Sequence, residues 1–475
     1  MVHILRARGD RSIADFIDPS GGTVSRELYV NEDIFEQEME QIFQRCWLLL
    51  GHECQIPNPG DFVVTRMGTE EVIMVRGRKD GRIRAFLNSC RHRGMKVCRY
   101  DEGNTLVFSC PYHAWTYDTA GKLVGVGFGN YANAYTDTLP RYSEEWGLVE
   151  VGQLTNFHGL IWATFDKKAP SFEDYLGPSF AESLRHCLQS SDGQDSGLEF
   201  FTPFQRHRLP TNWKVPGFTS VTDLTHTAMT HRSAQAAGLH EDRGRGKQKP
   251  TPFPSDKYAI GDHNLGHGGM CTFYNQPGVP DYAEEWFEPG VDDYFRAQTE
   301  KKKQVYANRI MPAHGWGGGH FAIFPAVMID SWRIRYYHPH ETGMTERWTL
   351  CGVDATAPDH VKDALRHYAE RFNGPVGYFE SDDMENWNYV YPASRGTTAR
   401  KYDYFFRNGI GHGKYDDRFP GVIVNGSYTE EAHRARFSRW LAFMEAKSWD
   451  DLYPINKEAN HNIWPGVDGT ASPTA

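Results

Sequence analysis

The chain has 475 residues, 39% of them hydrophobic and 14% aromatic, which is enough for about two or three domains with large cores. The formal charge of −10 and a sequence pI near 6.1 argue against a nucleic-acid binder, and no run of apolar residues reaches the length of a membrane helix. The opening Met-Val-His-Ile-Leu-Arg-Ala-Arg lacks the apolar core of a secretory signal, and eight scattered cysteines do not make a disulfide framework, so a reducing cytoplasm is the expected location.

In chain order, the first predicted element is a helix over 31–47, capped by Asn31, with Ile34, Phe35, Met39, Ile42, Phe43 and Trp47 as its apolar face. Short alternating β-branched runs follow at 62–66, 72–76 and 83–87, with Asp80-Gly81 turning between two of them. Further strands are predicted at 106–109, 114–117 and 160–165. Residues 49–167 therefore read as a small all-β domain.

That stretch contains Cys90-Arg-His92 and Cys110-Pro-Tyr-His113. Two thiols and two imidazoles on two loops make a four-ligand metal site. Thiolate with imidazole suits zinc or iron–sulfur. A structural zinc site usually pairs its cysteines and then its histidines, whereas here each motif supplies one of each. A Rieske [2Fe–2S] cluster, with two Cys on one iron and two His on the other, uses this set.

Beyond the β domain, a helix is predicted over 171–188 and a polar loop over 189–197. A mixed α+β region begins near residue 200. It contains a charged, Gly/Pro-rich loop at 240–256, sheet at 320–338, helices at 358–372 and 429–447, and a small polar tail from 465. Two histidines, His226 and His231, follow Asp223. Five residues along a regular helix is about 500° of rotation, which would splay the two rings by about 140°. They converge only if the helix is broken or bulged between them. A carboxylate would complete the two-His, one-acid triad of non-haem iron oxygenases. The acids of Phe379-Glu-Ser-Asp382-Asp383-Met-Glu-Asn386 are the candidates.

With these motifs in place, the chain resembles the large (α) subunit of Rieske non-haem iron aromatic-ring-hydroxylating dioxygenases, the naphthalene and biphenyl dioxygenase family. The resemblance rests on Cys-x-His with Cys-x-x-His, Asn212-Trp-Lys, Asp-x-x-His-x4-His and Phe-Glu-x-Asp-Asp, and it covers nearly the whole chain. It implies an α+β fold in which a small all-β Rieske domain, 49–167, is inserted in a larger helix-plus-antiparallel-sheet catalytic domain, 1–48 and 168–475. It implies Cys90 and Cys110 on one cluster iron, His92 and His113 on the other, and His226, His231 and Asp383 on a mononuclear Fe(II), with Asp382 as a neighbour. Asp223 then links His226 to His113 of the partner subunit in a head-to-tail trimer, with small β subunits completing an α3β3 assembly. The implied reaction adds both atoms of O2 to an aromatic ring, giving a cis-dihydrodiol. NADH-derived electrons arrive through a ferredoxin and a separate reductase, since no Gly-x-Gly-x-x-Gly follows a strand here.

Two departures touch the substrate side. Phe218 and Thr219 stand where the family often carries Glu-Asn, and Asn373 stands where some hydrocarbon dioxygenases carry an aromatic. Thr219, Asn373 and Phe379 are the expected substrate-binding residues, with Met328, Asp330 and Trp332 on a pocket strand. The alternatives are a monooxygenase or demethylase on a substituted aromatic acid, an electron carrier without catalysis, and a structural zinc protein. The carrier reading lacks the extra loop cysteines of respiratory Rieske proteins, because Tyr112 precedes His113.

Overall fold

Asn31 starts the first helix of any length: its side-chain oxygen accepts from the N–H groups of Asp33 (2.9 Å) and Ile34 (3.4 Å). Glu32 and Asp33 lie at the positive end of the helix dipole. The helix Glu32–Glu38 then widens into a π-helical turn, Met39–Phe43, and gives way to the strand Leu48–His52. The predicted helix to residue 47 is therefore too long. All five residues of that strand are buried, and a strand buried on both faces has no alternation to read.

In this computed structural model the chain divides into two compact units, Phe43–Phe172 and Met1–Ile42 with Glu173–Ala475. The structure describes residues 12–127, 144–188, 197–201, 204–219, 223, 225–236, 258–273, 289–306, 310–311, 320–330, 333–374, 377–415, 421–425 and 429–452. The predicted loop at 240–256, the tail from 465, most of the 189–197 loop and Trp332 lie outside them. Among the described residues no helix is long and apolar enough to cross a membrane.

Among its described residues the unit Phe43–Phe172 holds three small antiparallel sheets. One orders Ile83–Leu87, Glu70–Arg76, Asp61–Met67 and Glu102–Asn104; a second orders Leu123–Gly125, Thr116–Asp118 and Val107–Ser109. The third pairs Gln153–Phe157 with Leu160–Thr164 and Leu48–His52. Phe62, Ile73, Val75, Phe86, Phe108, Trp115 and Tyr117 form one core, and both Cys90 and Cys110 belong to it.

The second unit is built on a wide antiparallel sheet. Its path runs from Leu198–Phe200 through Met344–Asp354, Arg333–Glu341, Val327–Asp330 and His320–Ile323 to Gly268–Phe273, Tyr258–Gly261, Val422–Asn425 and Lys414–Tyr415. The helix Glu431–Glu445 lies directly on it. Glycine is required at two crossing points: a Cβ on Gly261 would sit 2.9 Å from the Glu431 carbonyl, and one on Gly268 would sit 2.9 Å from the Ala432 Cβ. The predicted 171–188 helix is interrupted at Gly177 (φ 71°), giving Phe172–Leu176 and Pro178–Leu188.

A buried charge pair ties distant segments of this unit together. Glu38 accepts from Lys214 Nζ (2.6 Å), Trp213 Nε1 (2.8 Å) and Trp440 Nε1 (2.7 Å), and the Glu38 and Lys214 side chains are fully buried. A buried ion pair costs desolvation and holds only where its remaining polar atoms are satisfied, which the two indoles provide here. The Asn-Trp-Lys motif thus has a structural use. Asn212 joins in through its Nδ2, which donates to the Thr342 carbonyl (2.8 Å).

Candidate metal centres and family

The two cluster-type loops follow one backbone plan. Cys90 N donates to Met95 O (2.8 Å) and Gly94 N to Cys90 O (2.9 Å); Cys110 N donates to Trp115 O (2.7 Å) and Ala114 N to Cys110 O (3.0 Å). Gly94 (φ 72°) and Ala114 (φ 54°) occupy the same left-handed place, four residues after each cysteine. This is why the predicted strand at 114–117 begins only at Thr116. Position 114 carries a side chain where glycine fits best, at a cost of about 1–2 kcal/mol.

Cys90 and Cys110 are 4% and 3% exposed and neither is in a disulfide. The imidazoles of His92 and His113 approach to 4.5 Å between centroids, and Trp115 stacks on His92 at 5.0 Å and 3°. Burial, with Cys90 alongside, raises the Cys110 thiol; burial, with His113 alongside, lowers His92. His92 Nδ1 is buried without a hydrogen-bond partner. A buried, unpartnered lone-pair donor beside two free thiols fits a metal cluster and leaves a purely packed histidine unexplained. The Tyr117 hydroxyl is 3.3 Å from Cys90 Sγ and receives the Arg91 N–H at 3.2 Å. Sequence reading missed Trp115 and Tyr117. The signal available was their alternation after His113, which puts both on one face of the strand.

In the second unit the chain breaks where convergence requires it. His226 precedes the short helix Thr227–Thr230, His231 falls in a turn, and Arg232–Ala236 begins anew. The two imidazole centroids lie 5.4 Å apart. Asp383 is in the first turn of the helix Glu380–Ser394. Its Oδ1 is 3.2 Å from His226 Nε2 and 3.5 Å from His231 Nε2. Among the described residues these three form the group whose ligand atoms all fall within 4.8 Å of one another.

Behind the two rings stand two more acids. Asp223 Oδ1 lies 3.4 Å from His226 Nδ1, within charge-pairing distance but out of hydrogen-bond alignment. Thr225 fixes that carboxylate through its N–H (3.1 Å) and hydroxyl (2.6 Å). Asp382 Oδ2 lies 3.3 Å from His231 Nδ1. Burial works against a charge on His226, but the Asp223 and Asp383 carboxylates outweigh it and push its pKa up to about 10. Burial likewise opposes ionisation of Asp223, yet His226, His433 and Thr225 hold it well below the usual carboxylate range. A proton held this firmly between carboxylates marks a place suited to a cation, and the two-His, one-carboxylate donor set fits iron(II).

The root of the Asp383 helix is anchored by charge. Glu380 is 2% exposed and pairs with Arg335 (2.7 Å), Arg347 and Arg333 (3.6 Å) on neighbouring strands. Burial raises the Glu380 pKa, but the three guanidinium groups overcome this and lower it to about 2. On the substrate side, Phe379 meets His231 edge-to-face at 5.0 Å. Phe218 is fully buried between Trp213 (5.3 Å) and Phe437 (5.0 Å), so that position serves packing. Thr219 and Asn373 end the helices Lys214–Thr219 and Asp359–Asn373; their side chains lie outside the described set.

Residues 46–133 match the Rieske [2Fe-2S] domain family. The chain is 33% identical over 469 residues to biphenyl 2,3-dioxygenase subunit alpha of Rhodococcus jostii (strain RHA1), covering 95% of this chain and 96% of the relative. It is also 33% identical to benzene 1,2-dioxygenase subunit alpha of Pseudomonas putida, covering 93% and 95%. The solved structure of naphthalene 1,2-dioxygenase with indole in its active site superposes with a TM-score of 0.79 at 28% identity, over 92% of this chain and 95% of that one. The fold and the two donor sets define an iron-dependent oxidoreductase. The chain belongs to the family of α subunits of Rieske non-haem iron ring-hydroxylating dioxygenases. Members of this family work with a [2Fe–2S] Rieske cluster, a mononuclear iron and O2.

Proposed function

We propose that this protein is the terminal oxygenase component that adds both atoms of O2 to an aromatic ring and releases a cis-dihydrodiol. The balance requires two electrons and two protons per O2, and NADH supplies the electrons through a reductase and a ferredoxin. Cys90, His92, Cys110 and His113, in a domain of residues 49–167, would hold the cluster. His226, His231 and Asp383, in the domain formed by 1–48 and 168–475, would hold the iron. The observation that carries the reading is the convergence of both Nε2 atoms on Asp383 Oδ1 in a chain that also presents the paired Cys/His loops.

When bound, the iron supplies open coordination positions for O2 beside the substrate, and the cluster supplies one electron at a time. The chain's own contribution is placement. The ionised Asp223 carboxylate beside His226 Nδ1 favours the ring proton on that nitrogen, which leaves Nε2 free to ligate. The phenol of Tyr117 donates to Cys90 Sγ, since a metal-bound thiolate can only accept. Phe379 packs edge-on against His231 and limits its rotation. The Glu380–arginine cluster holds the first turn of the Asp383 helix against the sheet. Asp223 also links His226 to His113 of the partner subunit in a head-to-tail trimer, with small β subunits giving α3β3.

The test is product mass under 18O2, with reduced protein, ferredoxin and reductase and a panel of arenes and aromatic acids. Two labelled oxygens in one product establish dihydroxylation and identify the substrate class. One labelled oxygen rejects it in favour of monooxygenation or demethylation at the same iron.

A further inference from the structure

We propose that Asp382 is the positioning carboxylate of His231, so that the iron site is a double clamp with one acid behind each imidazole. The inference rests on His226, His231 and Asp383 being the ligand set. Asp382 and Asp383 are consecutive residues in one helical turn, so their side chains leave the axis about 100° apart. They reach opposite edges of a single ring: Asp383 Oδ1 is 3.5 Å from Nε2 of His231, and Asp382 Oδ2 is 3.3 Å from its Nδ1.

A neutral imidazole carries one proton, and the nitrogen that lacks it is the one able to ligate. With the Asp382 carboxylate at Nδ1, the proton belongs there, and the Nε2 lone pair is turned toward Asp383 and His226. Asp382 is itself tied to the histidine segment. Asn386 Nδ2 donates both to the Asp382 carbonyl (3.0 Å) and to the hydroxyl of Thr230 (3.2 Å), the residue before His231. The arrangement repeats at the other ring, where Asp223 stands behind His226 and is fixed by Thr225. Asp382 does not belong to the converging ligand atoms, which are those of His226, His231 and Asp383.

The experiment strips the mononuclear iron from the holoenzyme with a chelator and titrates Fe(II) back, with the visible absorption of the [2Fe–2S] cluster as control for folding. Asp382→Ala is expected to weaken iron binding by about 10–100-fold. Asp382→Asn is expected to recover most of that loss, because the amide oxygen still accepts the Nδ1 proton. Asp383→Ala is expected to take up no iron. Wild-type affinity in Asp382→Ala, with Asp383→Ala empty, overturns the positioning role and leaves the ligand set standing. Complete loss in both Asp382→Ala and Asp382→Asn makes Asp382 a ligand and overturns the proposal. Normal iron uptake by Asp383→Ala overturns the ligand set itself.

Discussion

The two candidate metal centres hold their donors by opposite means. Around the cluster-type donors the partners are neutral: the Tyr117 hydroxyl beside Cys90 Sγ, the face of Trp115 on His92, and backbone hydrogen bonds that close each loop. Around His226 and His231 they are charged, with a carboxylate at each Nδ1 and a third between the Nε2 atoms. Each cluster-type loop is closed by two backbone hydrogen bonds of its own. At the iron site three carboxylates from two chain segments, 223–231 and 382–383, meet around the imidazoles. Neutral donors around sulfur adjust a potential without adding charge, whereas acids around imidazole create affinity for a dication.

This contrast predicts independent failure. Asp383→Ala should abolish mononuclear iron with the cluster spectrum unchanged, Cys110→Ala should abolish the cluster with mononuclear iron retained, and either should stop turnover; metal and sulfide analysis of both variants decides it. Loss of both metals in either variant would mean the two centres are not separately held. Next in size is Asp223→Ala. It should keep both metals largely bound and lower turnover by about a hundredfold, the upper range for loss of an orienting carboxylate. Full turnover with iron retained would reject the link through His226.

Stability effects should sort with the iron unit. Lys214→Met strands Glu38 as a buried carboxylate, and the expected loss is about 3–5 kcal/mol in denaturant unfolding. His267 makes the same unit acid-sensitive. Its Nε2 donates to the Tyr175 carbonyl (3.0 Å) and its Nδ1 accepts from Phe324 N–H (3.0 Å), so only the neutral ring fits. Burial lowers its pKa from 6.5 to about 3. The folded pKa lies below the unfolded one, so this stability is intact above pH 6.5 and is lost as pH falls toward 3. His267→Gln keeps a donor and an acceptor but takes no proton. Its acid slope in that window should be shallower by about 1.4 kcal/mol per pH unit; an unchanged slope would assign the sensitivity elsewhere. The smallest effect belongs to the neutral side. Tyr117→Phe should move the cluster's midpoint potential to more negative values, because the hydroxyl favours the reduced, more negatively charged state. A potential that stays put would show that this contact carries no tuning.

The same contrast explains what could be read from the chain. Cys90, His92, Cys110 and His113 fall on two neighbouring loops, so spacing alone exposes them. The need for a break between His226 and His231 also follows from helical geometry, and the turn at His231 supplies it. Asp383 lies about 150 residues further on and entered through the family resemblance. Asp382 read as a mere neighbour because a sequence does not say which edge of a ring an acid approaches. Glu38 was invisible as a buried residue: a glutamate in an amphipathic helix reads as solvated, and its partners Lys214 and Trp440 lie 176 and 402 residues away. The π turn at Met39–Phe43 escaped for a related reason, since apolar periodicity continues through it.

Those separations also set a timetable for synthesis. Glu38 leaves the ribosome early, and at about 5–20 residues per second its last partner, Trp440, follows roughly 20–80 s later. Within that interval residues 43–172 emerge complete, with both cysteine loops in hand. The inserted unit can therefore close and receive its cluster while the other still waits, with Glu38 exposed to water, for the helix Glu431–Glu445.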